Sequence, residues 1–285
     1  MKIAVLGAET MLGLSVVRQL RQRGWEPVVI DTGPVHKDWA TYAQLIEQVQ
    51  CKFVVKTMHL DEFYSTGTVS ALSRSVFRKI AQFCFDTKRV MLHASLSQVL
   101  PNDRESYFAE DAEYNPSSPL GEYLMTAEQR VLSMGDYGIV LRVCNLFGNE
   151  GALFKKLNTL IKDGGTMRLR DDYQVSFTCA EDVARVIVAI AEQVRFGAPG
   201  RGLYHYCSGM KASPYEFGIA LNDMLRQFGS YTESKAKILR AKRDSFMVGA
   251  SLSCERLLGD FGIKQRPWRS ALAKDVQQFF SLKDY

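Results

Sequence analysis

Residues 89–95 read Arg-Val-Met-Leu-His-Ala-Ser, and residues 115–133 read Asn-Pro-Ser-Ser-Pro-Leu-Gly-Glu-Tyr-Leu-Met-Thr-Ala-Glu-Gln-Arg-Val-Leu-Ser. The first is a short apolar run of the kind that forms a buried strand over Val90–His93. A polar loop follows, with Ser95, Ser97, Pro101 and Asn102. The run from Glu122 to Ser133 has helical periodicity. A buried strand that feeds a loop beside a helix is a common mount for catalytic side chains. The positions facing such a site include Leu96, Leu120 and Leu124. Leucine cannot transfer a proton.

Strands and helices alternate on both sides of this stretch. Lys2–Leu6 is a short apolar strand that ends at Gly7, and Met11 to Arg23 carries a helical stripe that Gly24 stops. Pro27–Ile30 is a second strand, Trp39 to Gln50 a helix, Lys52–Thr57 a third strand, and Val69 to Asp86 a longer helix. Gly138–Val143 follows as a fifth strand. Strands at this spacing with helices between them imply an α/β fold with a parallel, doubly wound sheet.

Composition narrows the class. The chain has 285 residues, enough for one large domain or two coupled ones, with 46% hydrophobic and 24% charged residues. The formal charge of +5 is small for this length, and its basic residues are dispersed except in Lys235–Arg243. That run reads as a solvated face or an anion-binding edge in preference to a nucleic-acid patch. No apolar run reaches the ~18 residues that span a membrane, and residues 1–7 lack a signal-peptide layout. The six cysteines are scattered without a C-x-x-C pair. They read as buried free thiols of a cytoplasmic protein, with no metal site and no disulfide frame.

In a doubly wound sheet, ligands bind beyond the carboxyl ends of the strands. The first such end carries Gly7-Ala-Glu-Thr-Met-Leu-Gly13. Gly7 permits a tight turn, Gly13 lets the helix approach the sheet, and the helix start would face a pyrophosphate. The usual middle glycine is replaced by Thr10, whose Cβ would crowd the backbone approach. Glu9 adds negative charge where phosphates would sit. A dinucleotide site and a plain strand–helix turn without ligand both remain open. Asp31 ends the second strand at the interval of a ribose-binding acid, or is a turn residue before Gly33-Pro34.

Later segments add weight. They are Arg142-Val-Cys-Asn-Leu-Phe-Gly148, a helix from Ala152 to Lys162, Met167–Asp172, a helix opened by Glu181–Ala184, a strand Gly202–Tyr206, and Arg266-Pro-Trp268 before a last helix. In order and spacing the whole chain resembles the dTDP-4-dehydrorhamnose reductase family of extended short-chain dehydrogenases. The resemblance implies a Rossmann-like NAD(P)-binding domain over 1–148 and 174–206, and a small C-terminal α/β nucleotide-sugar lobe over 149–173 and 207–285. It places Gly7, Thr10, Met11, Leu12, Gly13, Asp31, Thr57, Met58 and Ala94 at the cofactor, with Asp31 leaning toward NAD over NADP. It also implies chemistry by a threonine, a tyrosine and a lysine, the tyrosine protonating a carbonyl oxygen as hydride arrives.

Glu110, Pro116, Gly121 and Glu128 match that family's register. The threonine, tyrosine and lysine then fall on Leu96, Leu120 and Leu124. Cys144 and Asn145 stand where the family has serine and tryptophan, while Asp172 and Thr178 remain near the sugar site. The expectation is a non-catalytic binding or regulatory protein that holds a dinucleotide or nucleotide sugar, and in some form a protein partner. The regulatory β subunit of methionine adenosyltransferase belongs to the same superfamily. The alternatives are an NAD(P)H-dependent nucleotide-sugar reductase using other residues, with Tyr123 the nearest tyrosine, and a scaffold without ligand.

Overall fold

The computed structural model describes residues 1–30, 39–48, 50–57, 69–101, 107–229, 231, 233–241 and 251–281. Six parallel strands form its central sheet: β1 (Lys2–Leu6), β2 (Glu26–Ile30), β3 (Phe53–Lys56), β4 (Val90–Leu96), β5 (Gly138–Val143) and β6 (Gly202–Tyr206). Their spatial order is β6-β5-β4-β3-β1-β2. Alternate residues of each strand enter opposite cores, as the pleat requires. Ile3, Val5, Leu92, Ala94, Leu96, Ile139 and Leu141 belong to one cluster, with α1 (Met11–Gln22) and α6 (Ala180–Arg195). Ala4, Leu6, Val54, Met91 and Val140 belong to another, with α2 (Trp39–Gln48), α3 (Ala71–Asp86) and α4 (Pro119–Leu132). Both sheet faces are therefore covered, which explains why these strands read as apolar runs.

Local chemistry sets the element ends. Thr10 caps α1, its Oγ1 accepting from the Gly13 N–H at 3.0 Å. Ser118 caps α4 in the same way through Gly121 N–H, and Pro119 occupies the first turn. Two expectations are corrected here. α4 begins at Pro119 rather than Glu122, because the Ser118 cap and proline start it earlier than apolar periodicity reveals. β4 runs to Leu96 rather than His93, because Ala94, Ser95 and Leu96 stay paired with Leu141, Arg142 and Val143.

A third cluster lies beyond the sheet. It joins α5 (Ala152–Asp163), α7 (Pro214–Phe228) and α9 (Trp268–Ser281) around Phe154, Leu157, Phe217, Leu221, Trp268 and Leu272. Phe177 stacks on Phe217 at 4.1 Å and 16°. Strands 166–170 and 237–241 pair in parallel beside it, so Lys237–Ala241 of the basic run is ordered strand. Between α7 and α9 lies the short α8 (Glu255–Phe261). No described helix is long and apolar enough to cross a membrane.

Candidate functional site

The order of the sheet reverses between β1 and β3, and such a switch point is where doubly wound sheets bind ligands. Gly7 and Thr57 follow those two strands. Gly7 has φ 82°, which glycine adopts without strain. A Cβ on Gly13 would lie 2.0 Å from the Gly7 carbonyl oxygen, so α1 seats on the turn only with glycine there. Thr10 donates to Gly7 O at 2.8 Å, as does Thr57, and the two hydroxyl oxygens are 3.1 Å apart. Thr57 also donates to Leu6 O at 3.0 Å. The structure thus brings Gly7, Thr10, Gly13 and Thr57 into one hydrogen-bonded knot.

This revises the reading of Thr10. Its hydroxyl is turned inward, 7% of the residue is exposed, and it holds the helix start together. Met11 and Leu12 provide the first helical N–H groups, which have no acceptor within a helix and are available to an anion. Leu12 itself is core, and the Met11 sulfur lies against Gly148 and Gly151, where a Cβ would meet it at 2.9 and 3.3 Å. Asp31 and Met58 lie outside the described residues. Ala94 is fully buried in the core.

Sequence reasoning missed Lys56, the last residue of β3. It is buried, and its Nζ donates to Thr57 O at 2.6 Å. Burial lowers its pKa to about 7, and the charge of Glu9 opposes that shift. Glu9 therefore has within electrostatic reach an amine that is protonated in part at neutral pH, and its charge is offset to that extent. A lysine inside an otherwise apolar strand was the available signal.

Leu96, Leu120 and Leu124 are 6%, 1% and 2% exposed. They share one core cluster with Val99, Leu100, Val143, Cys144 and Leu252. A Cβ on Gly121 would lie 2.4 Å from Gln98 O, so α4 presses directly on the turn after β4. Burying each leucine stabilises by roughly 1.5–3 kcal/mol. Tyr123 points elsewhere: its ring lies 6.4 Å from Phe77 and 5.4 Å beneath the Arg74 guanidinium. It lines a groove of about 310 Å³ with Ala71, Thr126 and Arg130.

Below this core is a buried polar network that the sequence only hinted at. Arg142 Nη2 donates to Glu128 Oε2 at 2.6 Å and Nε to Oε1 at 3.2 Å, with both side chains fully buried. Arg142 Nη1 is 3.0 Å from His205 Nε2, and the His205 backbone N–H donates to Glu110 Oε1 at 3.1 Å. Burial and then the arginine charge push His205 down to about 3, so it is neutral and accepts from the guanidinium. Glu110 and Glu128 are thus joined through the scaffold. Burial pushes Tyr114, packed 5.3 Å from the Arg142 guanidinium, up out of the range of a proton donor at neutral pH.

Near the third cluster, Asp172 binds Arg170 at 2.6 and 2.8 Å, and Thr178 is fully buried. Asn145 adopts a left-handed φ of 38°, which asparagine tolerates, and its Nδ2 donates to Ser176 O at 3.3 Å. Among the described residues, no group of three or more His, Cys, Asp or Glu side chains is arranged so that it could hold a metal ion.

Comparison with known proteins gives a consistent picture. The family model described as RmlD substrate binding domain matches residues 1–281. The spore coat polysaccharide biosynthesis protein SpsK of Bacillus subtilis is 24% identical, covering 99% of this chain and 99% of its own. The methionine adenosyltransferase 2 subunit beta of Bos taurus is 23% identical, covering 98% of this chain and 88% of its own. The crystal structure of dTDP-4-dehydrorhamnose reductase from Bacillus anthracis in complex with NADP superposes with a TM-score of 0.79. It is 18% identical and covers 97% of this chain and 98% of its own.

Proposed function

The chain belongs to the dTDP-4-dehydrorhamnose reductase family, and from that premise we propose that it is a binding or regulatory protein on a reductase scaffold. In this reading it holds a nicotinamide dinucleotide or a nucleotide sugar and does not carry out the family's proton-coupled hydride transfer. One observation carries the proposal. Leu96, Leu120 and Leu124, which the resemblance places at the family's threonine, tyrosine and lysine, are closed into a single core. An apolar side chain offers no proton to a nascent alkoxide and no charge to lower a neighbour's pKa.

The residues at the β1–β3 switch point fit a dinucleotide in part. The Met11 and Leu12 N–H groups would face its pyrophosphate, Gly7 and Gly13 keep the turn tight, and Lys56 offsets Glu9 in part. A bound nicotinamide would supply hydride. The chain's own residues would orient it, since Thr10 and Thr57 fix the turn against which it lies. We place the dinucleotide domain over 1–148 and 174–206 and the sugar-type lobe over 149–173 and 207–285. The third apolar cluster supports that division, although Leu252, Cys254, Leu257 and Phe261 pack with the first. The full-length similarity to a methionine adenosyltransferase subunit supports a role beside a protein partner.

The test has two arms. Calorimetric titration with NADPH, NADH and a dTDP-sugar should show saturable binding of at least one. Absorbance of NADPH mixed with dTDP-4-dehydrorhamnose should stay constant. Turnover that disappears in Tyr123→Phe would restore the reductase reading. Absence of heat with all three ligands would leave a scaffold for protein contacts.

A further inference from the structure

Three thiols meet where the carboxyl ends of β5 and β6 approach residues 251–254. Cys144 follows β5, Cys207 follows β6, and Cys254 precedes α8. They are 0%, 2% and 5% exposed. The Cys207 and Cys254 sulfurs are 3.9 Å apart, in van der Waals contact across 47 residues of sequence. Cys144 lies within hydrogen-bonding reach of Cys207. Gln265 Nε2 donates to the Cys207 sulfur at 3.4 Å, and that sulfur is 3.3 Å from Leu252 O.

We infer that Cys207 and Cys254 form a reversible disulfide when the protein meets hydrogen peroxide, with Cys207 the sulfur that is oxidised first. Gln265 Nε2 donates to the Cys207 sulfur, the Cys144 and Cys254 thiols lie beside it, and hydrogen bonds donated to this sulfur favour the thiolate that reacts. Cys144 first and Cys254 second hold the Cys207 thiol well below its ordinary range. The thiolate attacks one peroxide oxygen. An S–O bond forms, the O–O bond breaks, and the departing hydroxide takes up a proton to leave as water. The Cys254 sulfur then displaces the hydroxyl from the sulfenic acid. An S–S bond forms, a second water leaves, and the two thiols have lost two electrons to the peroxide. Closing the bond from contact distance to about 2.05 Å needs a movement of under about 2 Å. The low exposure selects a small neutral oxidant.

This inference is independent of the proposed function, since it concerns only the core thiols. The whole chain is incubated with excess hydrogen peroxide, free thiols are alkylated under denaturing conditions, and peptides are mapped by mass spectrometry with and without reductant. Six free thiols less the two in the bond leave four, and the linked peptides should contain Cys207 and Cys254. A dithiol reductant should return all six. The oxidised protein should melt at higher temperature, because the bond shortens a long loop of the unfolded chain. With both neighbouring thiols removed, Cys144→Ser together with Cys254→Ser should stop the reaction at the sulfenic acid of Cys207, which a dimedone-type reagent traps. Six thiols surviving peroxide, a bond mapped to any other pair, or trapping only at another cysteine would overturn the inference.

Discussion

Leu124 is one of three residues on which the proposed loss of proton transfer rests. It is 2% exposed within the sheet's core, so its side chain has no route to a bound substrate. Leu124→Ala should cost about 2–5 kcal/mol, the range for truncating a buried leucine, read as a lower midpoint in urea denaturation. A cost below about 0.5 kcal/mol would mean that the site is an open pocket. His93 makes a second test at this scale. Burial, then the charge of Lys56, pushes it down to about 3, and both ring nitrogens are buried without a partner. Its folded pKa lies below its unfolded value of ~6.5. The unfolded chain therefore binds the extra proton in that window, and stability present above pH 6.5 is lost as pH falls. His205 acts in the same direction, whereas Asp275, pushed up to about 7 by burial, acts oppositely. His93→Phe, filling a site 5.1 Å from the Phe77 ring, should reduce the stability lost between pH 7 and pH 5. An unchanged loss would show that His93 titrates normally.

At the level of elements, the glycine turn and the two capped helices hold the candidate site. Gly13→Ala places a methyl 2.0 Å from a carbonyl oxygen, and backbone cannot yield as a flexible side chain does. The variant should lose about 1–3 kcal/mol and weaken NADPH binding at least tenfold in a titration. Unchanged affinity would move the ligand away from this turn. The same scale shows where sequence reading stops. Strands β1, β3, β4 and β5 were legible because two-sided burial makes each an apolar run, whereas the edge strand β2, with Val29 half-exposed, shows only a short Pro-Val-Val-Ile run. The expected elements omit α7, although Phe217, Leu221 and Leu225 recur there at helical spacing. Its start carries a polar signal as well, a capping box in which Ser213 and Glu216 satisfy each other's backbone N–H groups. Thr10 looked like an obstacle to phosphate because sequence shows its bulk and not its rotamer. Lys56 pairs with His93 across neighbouring strands, a proximity that no local pattern encodes.

For the whole molecule, the proposal is that the family's scaffold is kept while its proton-transfer chemistry is not. Glu128 and Arg142, both fully buried, tie α4 to β5 through a bidentate ion pair. Breaking such a pair by removing one partner costs about 3–5 kcal/mol, so Glu128→Ala should destabilise the fold regardless of any activity. The sequence could show that Glu128 and the three leucines share one register. It could not show that the leucines close against Val99, Cys144 and Leu252, because no local pattern encodes those contacts and Leu252 lies more than a hundred residues beyond Leu124. In the proposed function the reductase scaffold persists without its proton donor. The most direct test is the nicotinamide absorbance of NADPH mixed with the purified chain and dTDP-4-dehydrorhamnose at neutral pH. The account predicts no decay above the enzyme-free control. Decay at the 1 s⁻¹ or more of ordinary enzymes, about the lower end of typical turnover, would contradict it.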